Sequence, residues 1–336
     1  MAPDKSNIGE SETIERREPP RFLDTEPFLH SKYYADKYGC DLAVPGEIGI
    51  GSLVCYTRLV ESFALRIGRP LRLLTSPLDY SERGRIEGDA EYPLWENNPY
   101  IEEIVNADEL DPEIAAKVAA EMDNFCQSGH EIENICAPYG LRPRKLHGSL
   151  FLTTDEMQWG LRALSHLKRP VVCLCPYGRS SSAPESPWYL DRWLELIEVL
   201  GNRVCFFQLG NNAFEQKDLP VFSPETTIRQ VMSLLWASDA YVGFDTGPSH
   251  MAAALEKPSL VLWDAVMKSP LEEAKQAGFS MATMGRWAYP RNKNMVILGE
   301  KHREVLEGCI EFILDVAGKL VTPRLPASVL HGLADT

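Results

Sequence analysis

The feature that most constrains the fold is an alternation of apolar runs and amphipathic stretches after Pro170. The apolar runs are PVVCLCPYG, RVCFFQLG, AYVGF and PSLVLWD. They lack polar alternation and are typical of strands buried on both faces. The stretches between them are WYLDRWLELIEVLG, TTIRQVMSLLWASD and PSHMAAALEK, with apolar residues at helical spacing. Strands alternating with helices predict a parallel sheet with right-handed crossovers.

A shorter version of this pattern begins at Asp41. A strand is predicted in LAVPG, a glycine-rich turn in EIGIGS, a helix in LVCYTRLVESFALRIG and a second strand in PLRLLTS. The segment from Leu78 to His147 is richer in proline, asparagine and charge, and only a helix from Pro112 to Gln127 is predicted there. A last amphipathic helix is predicted from Arg303 to Ala317.

The length of 336 residues favours two domains, because single domains commonly hold about 100 to 200 residues. We predict a partly disordered N-terminal arm over residues 1–40 and a tail over residues 321–336. Between them we predict a Rossmann-like N-terminal domain over 41–160 and a Rossmann-like C-terminal domain over 161–320.

Charge and composition narrow the class of partner. The net charge of -14 repels phosphate backbones, so nucleic acid is not an expected partner. No run approaches the about 18 apolar residues of a membrane helix, and no secretory signal is visible, so a cytoplasmic protein without an integral membrane segment is expected. The 8 cysteines show no CxxC pair or zinc spacing. Reduced thiols and no metal site are therefore expected.

The segment after the AYVGF strand carries the strongest chemical signal. Pro248 as first helical residue loses no hydrogen bond, and Gly247 lets a ligand approach the backbone closely. The amides of Ser249 and His250, with the helix dipole, then predict a phosphate site at the carboxyl end of a parallel strand. Asp245 is predicted to accept from hydroxyls or to hold the turn. In the alternative, Asp245 and Thr246 only cap the helix, and His250 is a packed histidine bonded to a backbone carbonyl.

DTGPSHMAAALEKP closely resembles the DTGxxHxAAAxxxP segment of the bacterial heptosyltransferase family, glycosyltransferase family nine. Three further stretches resemble segments of this family in the expected order: GIGSLVCYTRLVESFA, ENNPYIEEIVNAD and PYGRSSSAPESPWYLDRWLELIEVL. The resemblance implies an α/β protein of the GT-B type, in which two Rossmann-like domains with parallel sheets face an interdomain cleft. It spans about residues 41 to 317 and is weakest between Leu110 and Lys168.

The resemblance also implies the activity. A sugar, heptose by default, would pass from a nucleotide diphosphate sugar, ADP-linked by default, to an acceptor hydroxyl. The reaction would invert the anomeric carbon and use no metal or other cofactor. The donor would bind mainly to the second domain and the acceptor to the first. The acceptor is left open as a glycan, a protein or a small molecule.

Two departures from the family affect the expected chemistry. The family's proposed general base is an aspartate in the entry loop, and Ser52 stands at that position. Because a serine hydroxyl is not a base near neutral pH, Ser52 is expected to cap the following helix. Glu47 is the nearest carboxylate and the candidate base; otherwise it is a solvated loop acid.

The phosphate loop lacks the family's lysine before the tryptophan. Gly178 and Arg179 open this loop, and Arg179 is the candidate cation for the diphosphate, unless it is a surface arginine. Ser180, Ser181 and Ser182 are candidate phosphate donors or merely a flexible loop. Glu215 matches the family's ribose-binding glutamate, with Gln208 and Asn211 as rivals.

Two other functions stay open at this point. One is a nucleotide-sugar epimerase or phosphorylase-like enzyme of the same fold, which needs no separate acceptor. The other is a catalytically impaired nucleotide-sugar-binding protein, which the serine at position 52 suggests.

Overall fold

The computed structural model describes most of the chain in ten ranges. These are residues 29–46, 48–80, 84–111, 113–123, 129–176, 187–209, 219–222, 225–264, 284–297 and 302–319. Two parallel sheets organise these residues, one in each half of the chain. The predicted class, an α/β protein with parallel sheets, is confirmed.

The first sheet has three strands in the order β1-β2-β3. They are β1 (Leu42–Ala43), β2 (Leu71–Thr75) and β3 (Ile101–Asn106). The helices of this half are α1 (Leu29–Lys37), α2 (Ile50–Ile67), α3 (Ala107–Leu110), α4 (Glu113–Asp123), α5 (Glu131–Cys136) and α6 (Thr154–Ala163). Helix α2 connects β1 to β2, which forms the predicted strand-helix-strand unit.

The second sheet has six strands in the order β6-β5-β4-β7-β8-β9. They are β4 (Val171–Cys175), β5 (Cys205–Leu209), β6 (Val221–Phe222), β7 (Ala240–Phe244), β8 (Ser259–Asp264) and β9 (Lys293–Ile297). The helices are α7 (Pro187–Leu200), α8 (Ile228–Ala237), α9 (Gly247–Ala254) and α10 (His302–Lys319). This strand order is that of the Rossmann fold, with the order reversing between β4 and β7.

The second sheet is buried on both faces, which explains its continuous apolar runs. Cys173, Tyr241 and Val261 lie in one core with α8 and α9. Val172 and Leu262 point to the other face, where they belong to the core that includes residues of α7 and α10. The first of these cores also contains much of α2, so it continues from one half of the chain into the other.

The structure refines several predicted elements. Strand β1 covers only two residues of LAVPG, and α2 begins at Ile50 rather than after the glycine-rich turn. Strand β3 and helices α1 and α6 were not predicted as elements. The domain limits at residues 40, 160 and 320 stay predictions.

Two further observations concern the cysteines and the hydropathy of the described part of the chain. Each of its cysteines is free, and all but Cys205 are buried. No helix among the described residues is long and apolar enough to cross a membrane.

Candidate functional site

The candidate site lies where the strand order of the second sheet reverses. Strands β4 and β7 are neighbours there, and their carboxyl ends point to the same edge. In open parallel sheets this reversal leaves a crevice in which ligands bind. The turn after Phe244 occupies this position, and the Oγ1 of Thr246 lies 3.7 Å from the Sγ of Cys175 at the end of β4.

Ser249 holds this turn in place. Its Oγ accepts a hydrogen bond from the Thr246 amide at 3.1 Å and donates to the Thr246 carbonyl at 2.8 Å. Only 1% of Ser249 is exposed, so its hydroxyl is a structural group of the turn. Thr246 is the N-cap residue of α9, and Asp245 to Pro248 stay partly exposed at the helix start.

The distribution of free amides differs from the prediction. The amides of Ser249 and His250 both donate to the Thr246 carbonyl, at 3.0 and 3.3 Å, so neither is left for a ligand. Pro248 has no N-H group. The Gly247 amide makes no hydrogen bond to any described residue. The first turn therefore offers one backbone donor, at Gly247, rather than the two expected.

His250 is buried and charged. Its Nε2 lies 3.3 Å from the Oδ1 of Asp245, and its Nδ1 lies 2.5 Å from the Oη of Tyr289. Burial alone would lower the pKa of His250, but hydrogen bonds to Asp245 and Cys55 outweigh it and raise the pKa to about 10. The alternative interpretation of His250 as a packed histidine is therefore confirmed for its packing. It is wrong about the partners, which are side chains rather than a backbone carbonyl.

Tyr289 connects His250 to two residues of the first half of the chain. The Oη of Tyr289 is 3.5 Å from the Sγ of Cys55, and its ring lies 5.2 Å from that of His130. Burial and the nearby His250 charge lower the pKa of His130 to about 4, so this second imidazole is neutral. Sequence reasoning missed Tyr289, His130 and Cys55, because contacts across 234 residues leave no local pattern.

The N-terminus of α2 faces the N-terminus of α9. Ile50 lies against Gly247, where a Cβ would be 3.2 Å from the Ile50 Cγ2, and Gly51 lies directly against the His250 ring. The N-cap of α2 is Gly49, without a side-chain cap. The expectation that Ser52 caps α2 is wrong, because Ser52 is already the third helical residue. Two helix starts, each with positive dipole character, thus meet at this edge.

The other predicted site residues fall mostly outside the described residues. This applies to Glu47, Gly178, Arg179, Ser180, Ser181, Ser182, Asn211 and Glu215. Gln208 is described, and its side chain is fully buried near the end of β5. Within the described residues, no three histidine, cysteine, aspartate or glutamate side chains converge as a metal-ligand group.

Comparison with known families decides the class. Residues 135–272 match the family described as glycosyltransferase family 9 (heptosyltransferase). The matched segment is characteristic of family 9 glycosyltransferases. The match covers β4 to β8 and includes the turn at Asp245 to Gly247. No curated protein matches the sequence.

Solved structures resemble this chain in fold. E. coli ADP-heptose lps heptosyltransferase II is 15% identical with a TM-score of 0.55, over 81% of this chain and 98% of that chain. A family 9 glycosyl transferase from Veillonella parvula DSM 2008 is 11% identical with a TM-score of 0.57, over 82% and 97%. E. coli heptosyltransferase WaaC with ADP is 12% identical with a TM-score of 0.51, over 82% and 99%. These likenesses establish a GT-B fold.

Proposed function

We propose that this glycosyltransferase moves a sugar, heptose by default, from an ADP-linked donor to an acceptor hydroxyl, with inversion and without a metal ion. The family match supports transfer of a sugar. The relative crystallised with ADP and the relative described as an ADP-heptose enzyme support the donor, although both are distant in sequence. The acceptor is a glycan, a protein or a small molecule.

The observation that carries the proposal is the charge at the start of α9. A partly exposed turn presents the Gly247 amide, and a cationic His250 lies directly behind it. The Gly247 amide and the dipole of α9 favour negative charge in front of the turn, and His250 balances the charge of the nearby Asp245 carboxylate. The facing N-terminus of α2 adds to this field. Departure of a nucleoside diphosphate places negative charge on its phosphate oxygens, so these groups would stabilise the leaving group.

The remaining roles follow the family resemblance. Asp245 accepts hydrogen bonds from sugar hydroxyls, and Thr246 positions the turn. In the phosphate loop, Gly178 allows close approach, Arg179 supplies a cation, and Ser180 and Ser181 donate to phosphate oxygens. Glu215 binds the ribose.

Glu47 is the proposed general base, because Ser52 has no proton-accepting group of suitable pKa. Glu47 lies outside the described residues, and in the sequence it stands two positions before Gly49, the N-cap residue of α2.

The serine at position 52 favours one second candidate, a nucleotide-sugar-binding protein that does not transfer the sugar. The other candidate to test is an epimerase-like enzyme of the same fold. Each candidate leaves a different product: unchanged donor, a changed sugar still linked to nucleotide, or free ADP with a new glycoside.

The test is incubation of the protein with ADP-heptose and a panel of hydroxyl-bearing glycans in a chelator. Release of ADP and an inverted anomeric proton in the NMR spectrum of the product would agree with the proposal. Glu47→Gln should lower kcat by about 100-fold or more, while ADP affinity stays the same. Glu102→Gln, an exposed acid on β3, is the matched control and should leave kcat unchanged.

Unchanged turnover in Glu47→Gln would remove Glu47 from the mechanism. If the protein binds ADP but releases no ADP from any nucleotide-sugar donor, the result would favour a nucleotide-sugar-binding protein without transferase activity. Dependence of turnover on a divalent cation would contradict the metal-independent reaction.

A further inference from the structure

A cavity lies at the opposite end of α9 from the turn that is proposed to bind the sugar donor. Its volume is about 600 Å³, within the range of small-molecule binding sites. It is lined by residues 144–147, by the C-terminal end of α9 and the residues after it, and by residues 289–292. The cavity thus joins a segment from the first half of the chain to two segments from the second.

Basic side chains dominate the charged lining of this cavity. Arg144, Lys145 and Arg291 carry guanidinium or ammonium groups, and Glu256 is the acid among the lining residues. Lys257 also lines the cavity, but its ammonium donates to the Ser238 carbonyl at 2.7 Å. The chain as a whole has a net charge of -14, and its overall field repels anions. The local excess of positive charge therefore distinguishes the cavity from the chain as a whole.

Glu256 has a backbone conformation that glycine usually provides. Its φ is 55°, and it follows the last turn of α9 in a Schellman arrangement, with Lys257 N donating to Ala252 O at 2.9 Å. A residue with a Cβ is strained there. What glutamate adds is its carboxylate, which lies 2.5 Å from Lys145 Nζ and 3.3 Å from Arg291 Nη1. The carboxylate therefore pairs with the same cationic groups that an external anion would bind.

His147 adds a polar atom that no described residue satisfies. Its residue is 6% exposed, and its Nδ1 donates to the Gly148 carbonyl at 2.8 Å. No described atom makes a hydrogen bond to Nε2, and the Glu256 carboxylate lies 3.5 Å from it. Burial lowers the pKa of His147, so the ring is neutral and Nε2 is an acceptor. A carboxylate cannot donate to it, whereas a hydroxyl group can.

We propose that this cavity binds a phosphate ester with a neighbouring hydroxyl group, at a site separate from that of the nucleotide sugar. Lys145 and Arg291 would bind the phosphate in place of the Glu256 carboxylate, since guanidinium groups match phosphate geometry. The Nε2 of His147 would accept from the hydroxyl. The ligand is either a free phosphorylated polyol or the glycerophosphate headgroup of a lipid, which share this chemistry.

The first test is calorimetric titration of the full chain with glycerol 3-phosphate. Lys145→Ala and Arg291→Ala should each weaken binding by about tenfold, the loss expected for a charge-assisted contact. Arg303→Ala is the matched control, because Arg303 is 87% exposed and is not among the residues that line the cavity, and it should not alter the affinity. Inorganic phosphate, which lacks the carbon-linked hydroxyl, should bind more weakly than glycerol 3-phosphate.

Glu256→Gln separates a ligand site from a simple ion-pair cluster. If the carboxylate competes with the ligand, its removal should tighten glycerol 3-phosphate binding several-fold. If the cations serve only to hold Glu256, the substitution would leave the affinity unchanged, and the proposal would be wrong. Thermal melts of each variant show that the fold is intact, and both arginine and lysine positions are half-exposed or more.

Vesicle flotation distinguishes the source of the phosphate. Binding to phosphatidylcholine vesicles that contain phosphatidylglycerol, but not to phosphatidylcholine alone, would identify a lipid headgroup if Arg291→Ala abolishes it. Binding of glycerol 3-phosphate without vesicle binding would identify a free ligand. Binding of neither, or binding that is unaffected by Lys145→Ala and Arg291→Ala, would overturn the proposal.

Discussion

An ideal Cβ on Gly51 would lie 2.5 Å from the Cδ2 and 2.8 Å from the Nε2 of His250. Real Cβ atoms do not approach other heavy atoms so closely. The His250 ring cannot easily move, because Asp245 and Tyr289 hold its two nitrogens. Gly51 therefore sets how closely α2 approaches α9, and the glycine is required for space rather than for its backbone angles.

Gly51→Ala should lower the free energy of unfolding by about 1 to 3 kcal/mol, the usual cost of overpacking a closed contact. Gly49→Ala is the matched control in the same loop, because a Cβ there meets nothing within 4 Å. That control should change stability by less than about 0.5 kcal/mol. Urea unfolding of both variants measures the difference. Equal stability of the two variants would show that the helix starts do not touch in solution.

Single residues of the site were only partly predictable. The tight turn at Gly247 and Pro248 was readable, because proline at a helix start and glycine before it have local causes. The partners of its amides were not, since they depend on how tightly the turn closes on the Thr246 carbonyl. The charge on His250 depends on Asp245 and Cys55, and Cys55 is remote in sequence.

Arg229 connects α8 to the first half of the chain. It is 6% exposed, and its guanidinium donates to both carboxylate oxygens of Glu156 at 2.6 Å. It also donates to the carbonyls of Pro93 and Phe151, at 3.0 and 2.8 Å. Glu156 belongs to α6 and completes the capping box of Thr153. One buried cation thereby positions two helices and two loops.

Arg229→Met should lower the free energy of unfolding at pH 7 by about 3 kcal/mol, because it leaves a partly buried carboxylate without its cation and the Pro93 and Phe151 carbonyls without their donor. Burial raises the pKa of Glu156, but the bonds from Arg229 and Thr153 outweigh it and lower the pKa below 4.5. A lowered folded-state pKa gives stability that is present above the unfolded pKa and lost as pH falls.

The difference between wild type and Arg229→Met should therefore shrink between pH 6 and pH 3. Urea unfolding across this range measures it, with Arg303→Met at an exposed ion pair as the control. A difference that stays constant with pH would show that packing of the arginine chain, and not its charge, is what the substitution removes.

Strands and helices were predictable where burial leaves a clear pattern. The inner strands of the second sheet are uninterrupted apolar runs because both faces are covered. Strand β3 was missed because Glu102 and Glu103 interrupt its apolar pattern with exposed charges. Helix α6 has a readable start in Thr153 and Glu156, yet it covers only 10 residues and is polar on average.

How the two halves of the chain pack together could be predicted only from the resemblance to a known family. One apolar core runs from α2 through α8 and α9, so the halves pack directly. Charge pairs also join them, including Arg286 with Glu131, Lys145 with Glu256, and Arg229 with Glu156. Local patterns predict each sheet but not which helices meet, because these pairs are distant along the chain.

Binding of a nucleotide diphosphate to the edge where the halves meet should stabilise the whole fold. ADP at about 100 times its Kd should add about 2.7 kcal/mol to the free energy of unfolding. For a chain of this size, that corresponds to a rise in Tm of about 5 °C. UDP and GDP should give smaller shifts if the donor is ADP-linked. Adenosine should give little shift, because the Gly247 amide and His250 act on the diphosphate. An equal shift with adenosine would place the base, and not the phosphates, at the centre of recognition and would contradict the role given to the start of α9.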